Sequence, residues 1–111
     1  MKKKIDFIAE LTYLTKEQGG RNSPVVSGYR PQVKFGFEKR QTSGHQNFIG
    51  TEKVYPGETA LAEITVISPE FFENRLEIGM EFDFREGHIV VGKGIVKEII
   101  NKTPKKKKTS T

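Results

Sequence analysis

The sequence contains no cysteine, which excludes disulfide bonds and thiolate metal ligands. Its two histidines, His45 and His88, lie far apart and do not have the spacing that is typical of a zinc site. We therefore predict no metal site and no other cofactor.

Long apolar stretches are also missing, and no segment is long enough to span a bilayer. The first residues, MKKKIDFIAEL, start with a basic run as a signal peptide does. However, Asp6 and Glu10 interrupt the region that would have to be apolar. We expect a soluble, cytoplasmic protein without a membrane partner.

Features of enzymes are scarce as well. There is no GxxxxGK[ST] phosphate loop, and GKG at residues 92–94 lacks its spacing, so we expect no nucleotide binding. Ser43, His45 and Asp83 are residue types of a hydrolytic triad, but nothing in the sequence brings them together. We predict that the protein is not an enzyme.

Positive charge is concentrated at the two ends of the chain. The formal net charge is +5, and without the seven lysines at positions 2–4 and 105–108 it becomes −2. Residues 1–4 are interpreted as a basic tail, 5–101 as one domain and 102–111 as a disordered, lysine-rich tail. Such tails are either simply solvated or add non-specific attraction to nucleic acid.

Hydrophobic and polar residues alternate through most of the chain, which is the period of a half-buried β-strand. About six short strands separated by turns, without a long helix, predict an all-β fold, a small antiparallel barrel. The residues that this period places on the inward face include Val33, Phe35, Phe37, Ile64, Val66, Phe82 and Phe84.

Glycine and proline mark the predicted turns. HIVVGKGIVKEII, at residues 88–100, is interpreted as two short strands or one strand bent at Gly92 and Gly94. PEFFENRLEIGM is the one segment in which a helical turn is expected. The turn pairs and triplets include GG at 19–20, SG at 43–44, PGE at 56–58 and REG at 85–87.

The segment 17–35 carries the most informative polar groups. Arg21 follows a glycine pair, and Arg30 and Gln32 flank a proline; a guanidinium suits phosphate or carboxylate. Glu86–Gly87 offers a carboxylate at a tight turn, to which a ribose 2′-hydroxyl can donate. Two interpretations stay open: these groups bind the backbone of structured RNA, or Arg30 pairs with a local carboxylate and the glycines only close a turn.

Three segments, in order, resemble the third, C-terminal domain of bacterial elongation factor Tu: LTKEQGGRNSPVVSGYRPQVKF, VYPGETALAEITVISP and FDFREGHIVVGKGIVKEII. The resemblance implies a six-stranded antiparallel, Greek-key-like barrel whose surface helps to hold the T stem of aminoacyl-tRNA. It further implies that Arg21 meets phosphate, Gln32 a backbone sugar or phosphate, and Glu86, beside Gly87, a ribose hydroxyl.

The chain departs from the family pattern at several positions. Asn22 replaces a histidine, and His88 and Ile89 replace a glycine and a basic residue. The segment between Pro69 and Arg85 is longer than in the family, so EFFENRLEIGM is expected to project as a new surface. Because the sequence carries neither the GTPase domain nor the second barrel of the factor, the resemblance implies no GTP hydrolysis and only weak tRNA binding.

Three functions are compatible with these observations. The first is a translation-related module that binds tRNA or another structured RNA through Arg21, Asn22, Arg30, Gln32, Glu86 and Gly87. The second is a protein-interaction module that mimics or competes with elongation factor Tu, as a decoy, regulator or protective protein, with Phe71 and Phe72 as anchors for a translation factor or a factor-binding protein. The third is a remnant of a split factor without a role of its own.

Overall fold

The computed structural model describes residues 4–72 and 74–101, and the predicted tails, apart from Lys4, lie outside these ranges. Within them, the strands of the main sheet are β1 (Phe7–Tyr13), β3 (Gln32–Phe35), β4 (Thr42–Ile49), β6 (Thr59–Val66), β7 (Glu81–Glu86) and β8 (Ile89–Ile99). These strands pair only antiparallel, and β1 pairs with both β6 and β8, which closes a six-stranded barrel in the order β1-β6-β4-β3-β7-β8. Two short strands, β2 (Val25–Val26) and β5 (Lys53–Val54), form a separate pair. The prediction of an all-β, six-stranded antiparallel barrel is confirmed.

The core is rich in aromatic rings that point inward from alternate strand positions. The ring of Phe35 is fully buried and lies 4.9 Å from that of Phe82 and 6.0 Å from that of Phe7, measured between centroids. Six of the seven residues predicted to face inward are buried. The exception is Phe37, which is half-buried because β3 already ends at Phe35.

The strand β4 was not apparent from the pattern of the sequence. The pair Ser43-Gly44, predicted as a turn, lies inside this strand, so that prediction is wrong. A Cβ at Gly44 would lie 2.5 Å from Cγ2 of Val33, so glycine is needed for the close approach of β3. The inward positions of β4 are Thr42, Gly44, Gln46 and Phe48, and only one of them is a large apolar residue.

Gly92 and Gly94 both lie inside β8, which is one strand of 11 residues. Its register with β7 shifts beside Gly92, between the pairs of Phe84 and Arg85. Built Cβ atoms at these two positions would overlap the rings of Phe84 and Phe82, respectively. The glycines therefore make room for two core aromatic rings on the neighbouring strand.

The segment between β6 and β7 packs against the barrel instead of projecting from it. It begins with the 3₁₀ helix Pro69–Phe72, which confirms the predicted helical turn. Phe72 is 4% exposed, and its ring centroid lies 4.8 Å from that of Phe35. The Arg75 guanidinium donates a hydrogen bond of 2.9 Å to Glu38, in the loop that follows β3. Phe72 is thus a core residue, and the prediction that it anchors a partner on the surface is wrong for this structure.

Helical structure in residues 4–72 and 74–101 consists of Pro69–Phe72 and a second 3₁₀ helix, Lys16–Gln18. Neither has the length and apolar character that crossing a membrane requires.

Candidate functional site

A short, well-ordered loop after β1 sets the position of Arg21. Oγ1 of Thr15 accepts a hydrogen bond from the backbone N–H of Gln18, and Oε1 of Gln18 accepts one from the backbone N–H of Thr15, at 3.2 and 2.8 Å. Gly19 then reverses the chain at a φ of +95°, which glycine adopts without steric cost. A Cβ at Gly20 would overlap the carbonyl of the loop's own backbone. The predicted glycine turn is confirmed, and it directs Arg21 towards the β7–β8 hairpin.

Arg21 forms an ion pair with Glu86, the last residue of β7, between Nη1 and Oε2. Its Nε donates to the carbonyl of Ser23 at 3.3 Å, and its Nη2 donates to the Ser23 hydroxyl at 3.1 Å. The guanidinium also lies 5.3 Å from the ring centroid of Tyr29. The side chain of Arg21 is 24% exposed and that of Glu86 is 42% exposed, so the pair is fixed but open to solvent.

Tyr29 is the second group that binds Glu86. Its hydroxyl donates to Oε2 of Glu86 at 2.6 Å. Partial burial alone would raise the pKa of Glu86, but the hydrogen bonds from Tyr29 and Arg21 and the positive charge of Arg21 lower it below its usual value. Burial, together with the bond to Glu86, raises the pKa of Tyr29. At neutral pH the site therefore holds an ionised carboxylate and a neutral phenol.

The loop that carries Tyr29 is attached to the barrel through Gln46 of β4. The backbone N–H of Gln46 donates to the carbonyl of Tyr29 at 2.8 Å, and the carbonyl of Gln46 accepts from the N–H of Gly28 at 2.9 Å. The Gln46 side chain, 1% exposed, accepts a hydrogen bond from the hydroxyl of Tyr13. These bonds run from the core to the surface and hold the Arg21–Tyr29–Glu86 cluster in one geometry.

Gln32 lies beside this cluster on β3, where it pairs with Arg85 of β7 on one side and Ser43 of β4 on the other. Its side-chain amide makes a long hydrogen bond of 3.5 Å to the Ser43 hydroxyl. Arg85 is paired with Asp83 at 2.6 Å. Gln32 is thus a half-buried neighbour of the cluster, without a direct bond to Arg21 or Glu86.

The remaining predicted RNA-binding residues surround the cluster. Asn22 and Arg30 are exposed, and each is adjacent in sequence to a member of it. Gly87 forms the β7–β8 turn at a φ of +64°, and its carbonyl accepts a hydrogen bond from the side chain of Gln41 at 3.3 Å. The structure therefore brings the six predicted residues to one side of the barrel, although Arg21, and not Arg30, makes the local ion pair.

Sequence reasoning missed Tyr29, the residue that connects the cluster with the core. A signal was available, since Tyr29 lies inside the motif SGYRPQ and its phenol can satisfy a buried hydrogen bond. Gln41 was missed too, and its polar neighbourhood offered no comparable signal.

The other predicted anchor, Phe71, lies in the segment between β6 and β7. It is half-buried, and the Arg40 guanidinium covers its ring at 3.9 Å from the centroid. A partner could reach only part of this ring.

The family model described as the elongation factor Tu C-terminal domain matches residues 1–100 of the chain. The chain belongs to this family. The closed six-stranded barrel is in agreement with the fold of the elongation factor Tu C-terminal domain. The protein is thus a translation-factor-like domain, and the GTPase activity of elongation factor Tu lies in another domain of that factor.

Proposed function

We propose that this protein binds the backbone of structured RNA, such as a tRNA stem, through the Arg21–Tyr29–Glu86 cluster. The observation that carries the proposal is the unused bonding capacity of the cluster. A guanidinium has five N–H donors, and bonds to Ser23 and Glu86 occupy three of them within the described residues. The guanidinium also bonds to Tyr29, which leaves at least one N–H group for a phosphate oxygen.

Glu86 complements this donor set with an acceptor. Arg21 and Tyr29 both bind its Oε2, and no described residue hydrogen-bonds to its Oε1. A ribose 2′-hydroxyl is a suitable donor for that oxygen, and a DNA backbone has no such group. In this arrangement Arg21 would bind a phosphate and Glu86 a ribose hydroxyl of the same RNA strand.

The binding is expected to be weak. Arg21 and Arg85 are paired with carboxylates, Glu86 and Asp83, so of the three arginines around the site Arg30 alone adds an unpaired positive charge among the described residues. The body of the chain has a formal charge of −2 once the seven tail lysines are set aside. We therefore expect a Kd in the range of about 10⁻⁴–10⁻⁶ M, which is that of non-specific nucleic-acid binding.

These same ion pairs favour a second function, that of a protein-interaction module. A surface whose charges are already balanced suits a protein partner with charges of both signs better than it suits a polyanion. In this case the domain would mimic or compete with elongation factor Tu for a partner, as a decoy, regulator or protective protein.

The test must separate the cluster from the lysine tails, because lysines attract any polyanion. We would replace lysines 2–4 and 105–108 with glutamine and measure binding to an RNA stem-loop and to a DNA hairpin of the same sequence. The RNA function predicts a preference for RNA in this background. Arg21→Ala should then weaken RNA binding by about 1–3 kcal/mol, or roughly 5- to 150-fold, through the loss of charge-assisted hydrogen bonds.

Arg40→Ala is the matched control. Arg40 is also paired with a carboxylate, Glu38, but lies outside the cluster. Its removal should leave RNA binding within about 2-fold, the range expected of a single rim charge. Equal binding of RNA and DNA, or equal effects of the two arginine variants, would contradict RNA binding and favour the protein-interaction module.

A further inference from the structure

A cavity of about 480 Å³ opens at the end of the barrel where β1 begins and β6 and β8 finish. Its volume lies within the range of small-molecule sites, about 300–1,000 Å³. The segment between β6 and β7 forms one wall and the barrel end forms the other. Most of the lining is apolar, contributed by Val66, Pro69, Phe72, Leu76, Ile78 and Ile99.

Asp6 places a carboxylate in the wall of this cavity, although the residue is only 5% exposed. Its Oδ2 accepts from the backbone N–H of Val66 and its Oδ1 from the side-chain amide of Asn101, both at 2.8 Å. Its backbone is also fixed, since its N–H donates to Ile64 and its carbonyl accepts from Ile100. The carboxylate therefore has a single, pre-formed orientation.

The charge of Asp6 has no counterion among the described residues. Both donors to the carboxylate are neutral, and a carboxylate can accept about four hydrogen bonds, so capacity remains for a ligand. Buried charges in proteins are normally paired with a group of opposite sign. A second acidic residue, the exposed Glu98, also lines the cavity, and none of the described lining residues is basic.

We propose that this cavity binds a small organic cation, a protonated amine attached to a compact apolar body. The amine would supply the positive charge that Asp6 and Glu98 lack, and the apolar body would lie against Leu76, Ile78 and Ile99. The two acidic side chains disfavour a phosphate or carboxylate ligand by repulsion and by desolvation. The structural role of Asp6 at the barrel end explains its hydrogen bonds, but not the open cavity beside a buried carboxylate that has no cation among residues 4–72 and 74–101.

This site is separate from the Arg21–Tyr29–Glu86 cluster. Asp6 precedes β1 and Arg21 follows it, and Glu86 ends β7, whose first residue pairs with Ile95 in the second half of β8. The two sites are therefore at opposite ends of the barrel. Their tests can fail independently.

The experiment is an NMR titration of the full ¹⁵N-labelled chain with 3-phenylpropylamine, using 3-phenylpropan-1-ol as the neutral control of the same shape. We expect the amine to shift the amide signals of Val66, Ile78, Ile99 and Asn101 in a saturable manner and to leave those of Arg21 and Glu86 in place. The alcohol should bind at least 10-fold more weakly, because it leaves the buried carboxylate without a cation. Equal binding of both compounds, or shifts spread over the whole surface, would overturn the proposal.

Two variants identify the groups responsible. Asp6→Asn removes the charge and should weaken amine binding by about 10-fold or more. Because this variant also loses a hydrogen-bond acceptor that fixes the barrel end, Glu98→Gln serves as a second test on an exposed residue. Glu98→Gln should weaken amine binding by roughly 2- to 5-fold, as for a partly exposed ion pair, and should not change alcohol binding.

Glu52→Gln makes the same charge change at an exposed position outside the cavity lining and should have no effect. An equal loss in Glu98→Gln and Glu52→Gln would show that only the overall charge matters, and would overturn the proposal. If the amine binds only after lysines 105–108 are replaced with glutamine, the natural occupant of the cavity is the chain's own C-terminal segment. This result would overturn the proposal of an external ligand.

Discussion

The two ends of the barrel are closed by different chemistry. At one end, Arg21, Tyr29 and Glu86 form a partly exposed network in which each charge has a partner. At the other end, Asp6 is almost fully buried and accepts side-chain bonds from neutral groups, next to an apolar cavity. The first end can still donate hydrogen bonds to an anion, whereas the described residues that line the cavity carry no positive charge.

The difference follows from what covers each end. A glycine loop and the β7–β8 hairpin meet at the polar end, where Arg21 and Glu86 are in direct contact. The segment after β6 covers the other end, and it is held by Phe72 in the core and by Arg75 on Glu38. A cavity lies between this segment and the barrel end, whereas an ion pair joins the two elements at the polar end.

The largest expected effect concerns the aromatic core that attaches the covering segment. Phe35→Ala should destabilise the protein by about 3–5 kcal/mol, because Phe35 is fully buried against Phe72 and Phe82. Denaturant unfolding measures this change. Hydrogen exchange should rise first at residues 67–72 and 74–80, next to the cavity. A loss below about 1 kcal/mol, or faster exchange at Arg21 and Glu86 first, would contradict the role of this core in holding the cavity end.

A smaller effect is expected from glycines in contact with the core. Gly92→Ala should cost about 1–3 kcal/mol, because the new methyl group would overlap the ring of Phe84. Gly36→Ala is the matched control, since a Cβ there has no heavy atom within 4 Å and Gly36 does not require a positive φ. Thermal unfolding of the two variants compares them directly. Similar losses in both would mean that the effect is one of backbone conformation and not of ring packing.

The smallest effect concerns acid stability at the cavity end. Hydrogen bonds from the side chain and the backbone N–H of Arg40, together with one from Arg75, lower the pKa of Glu38 to about 2. Because the pKa of Glu38 is lower in the folded than in the unfolded state, its contribution to the free energy of unfolding is complete above the unfolded pKa. It is lost as the pH falls from about 5 towards 2.

Glu38→Gln should therefore be less stable than the natural protein at pH 7, and this difference should shrink as the pH falls to about 2. Unfolding measured between pH 7 and pH 2 provides the test, with the exposed Glu52→Gln as a control. A difference that stays constant with pH would show that the two arginines do not stabilise the ionised form of Glu38.

Much of the fold was predictable because the inward positions of β1, β3, β6 and β7 are large and apolar and alternate with polar residues. The strand β4 was not, since Thr42, Gly44 and Gln46 occupy three of its four inward positions. Gln46 is tolerated there because Tyr13 hydrogen-bonds to it, and that partner is 33 residues away. A pattern of local hydrophobicity contains no information on such a partner.

The candidate sites were predictable to different degrees. Arg21 and Glu86 stood out as a donor and an acceptor in turns, but their ion pair joins residues 65 positions apart and needed the structure. In the sequence, Asp6 only interrupts an apolar start, and its burial depends on bonds to Val66 and Asn101. Phe72 could equally have faced solvent or the core, because a short helical turn does not define which side is covered.

The most direct test of the difference between the two ends is one ¹⁵N NMR experiment on the chain with lysines 2–4 and 105–108 replaced by glutamine. An RNA stem-loop and 3-phenylpropylamine are titrated separately. RNA should shift the amides of Arg21, Gln32 and Glu86, and the amine those of Val66, Ile99 and Asn101, with neither ligand affecting the other set. Overlapping shifts from both ligands, or RNA shifts at the cavity end, would contradict the assignment of an anion-binding end and a cation-binding end.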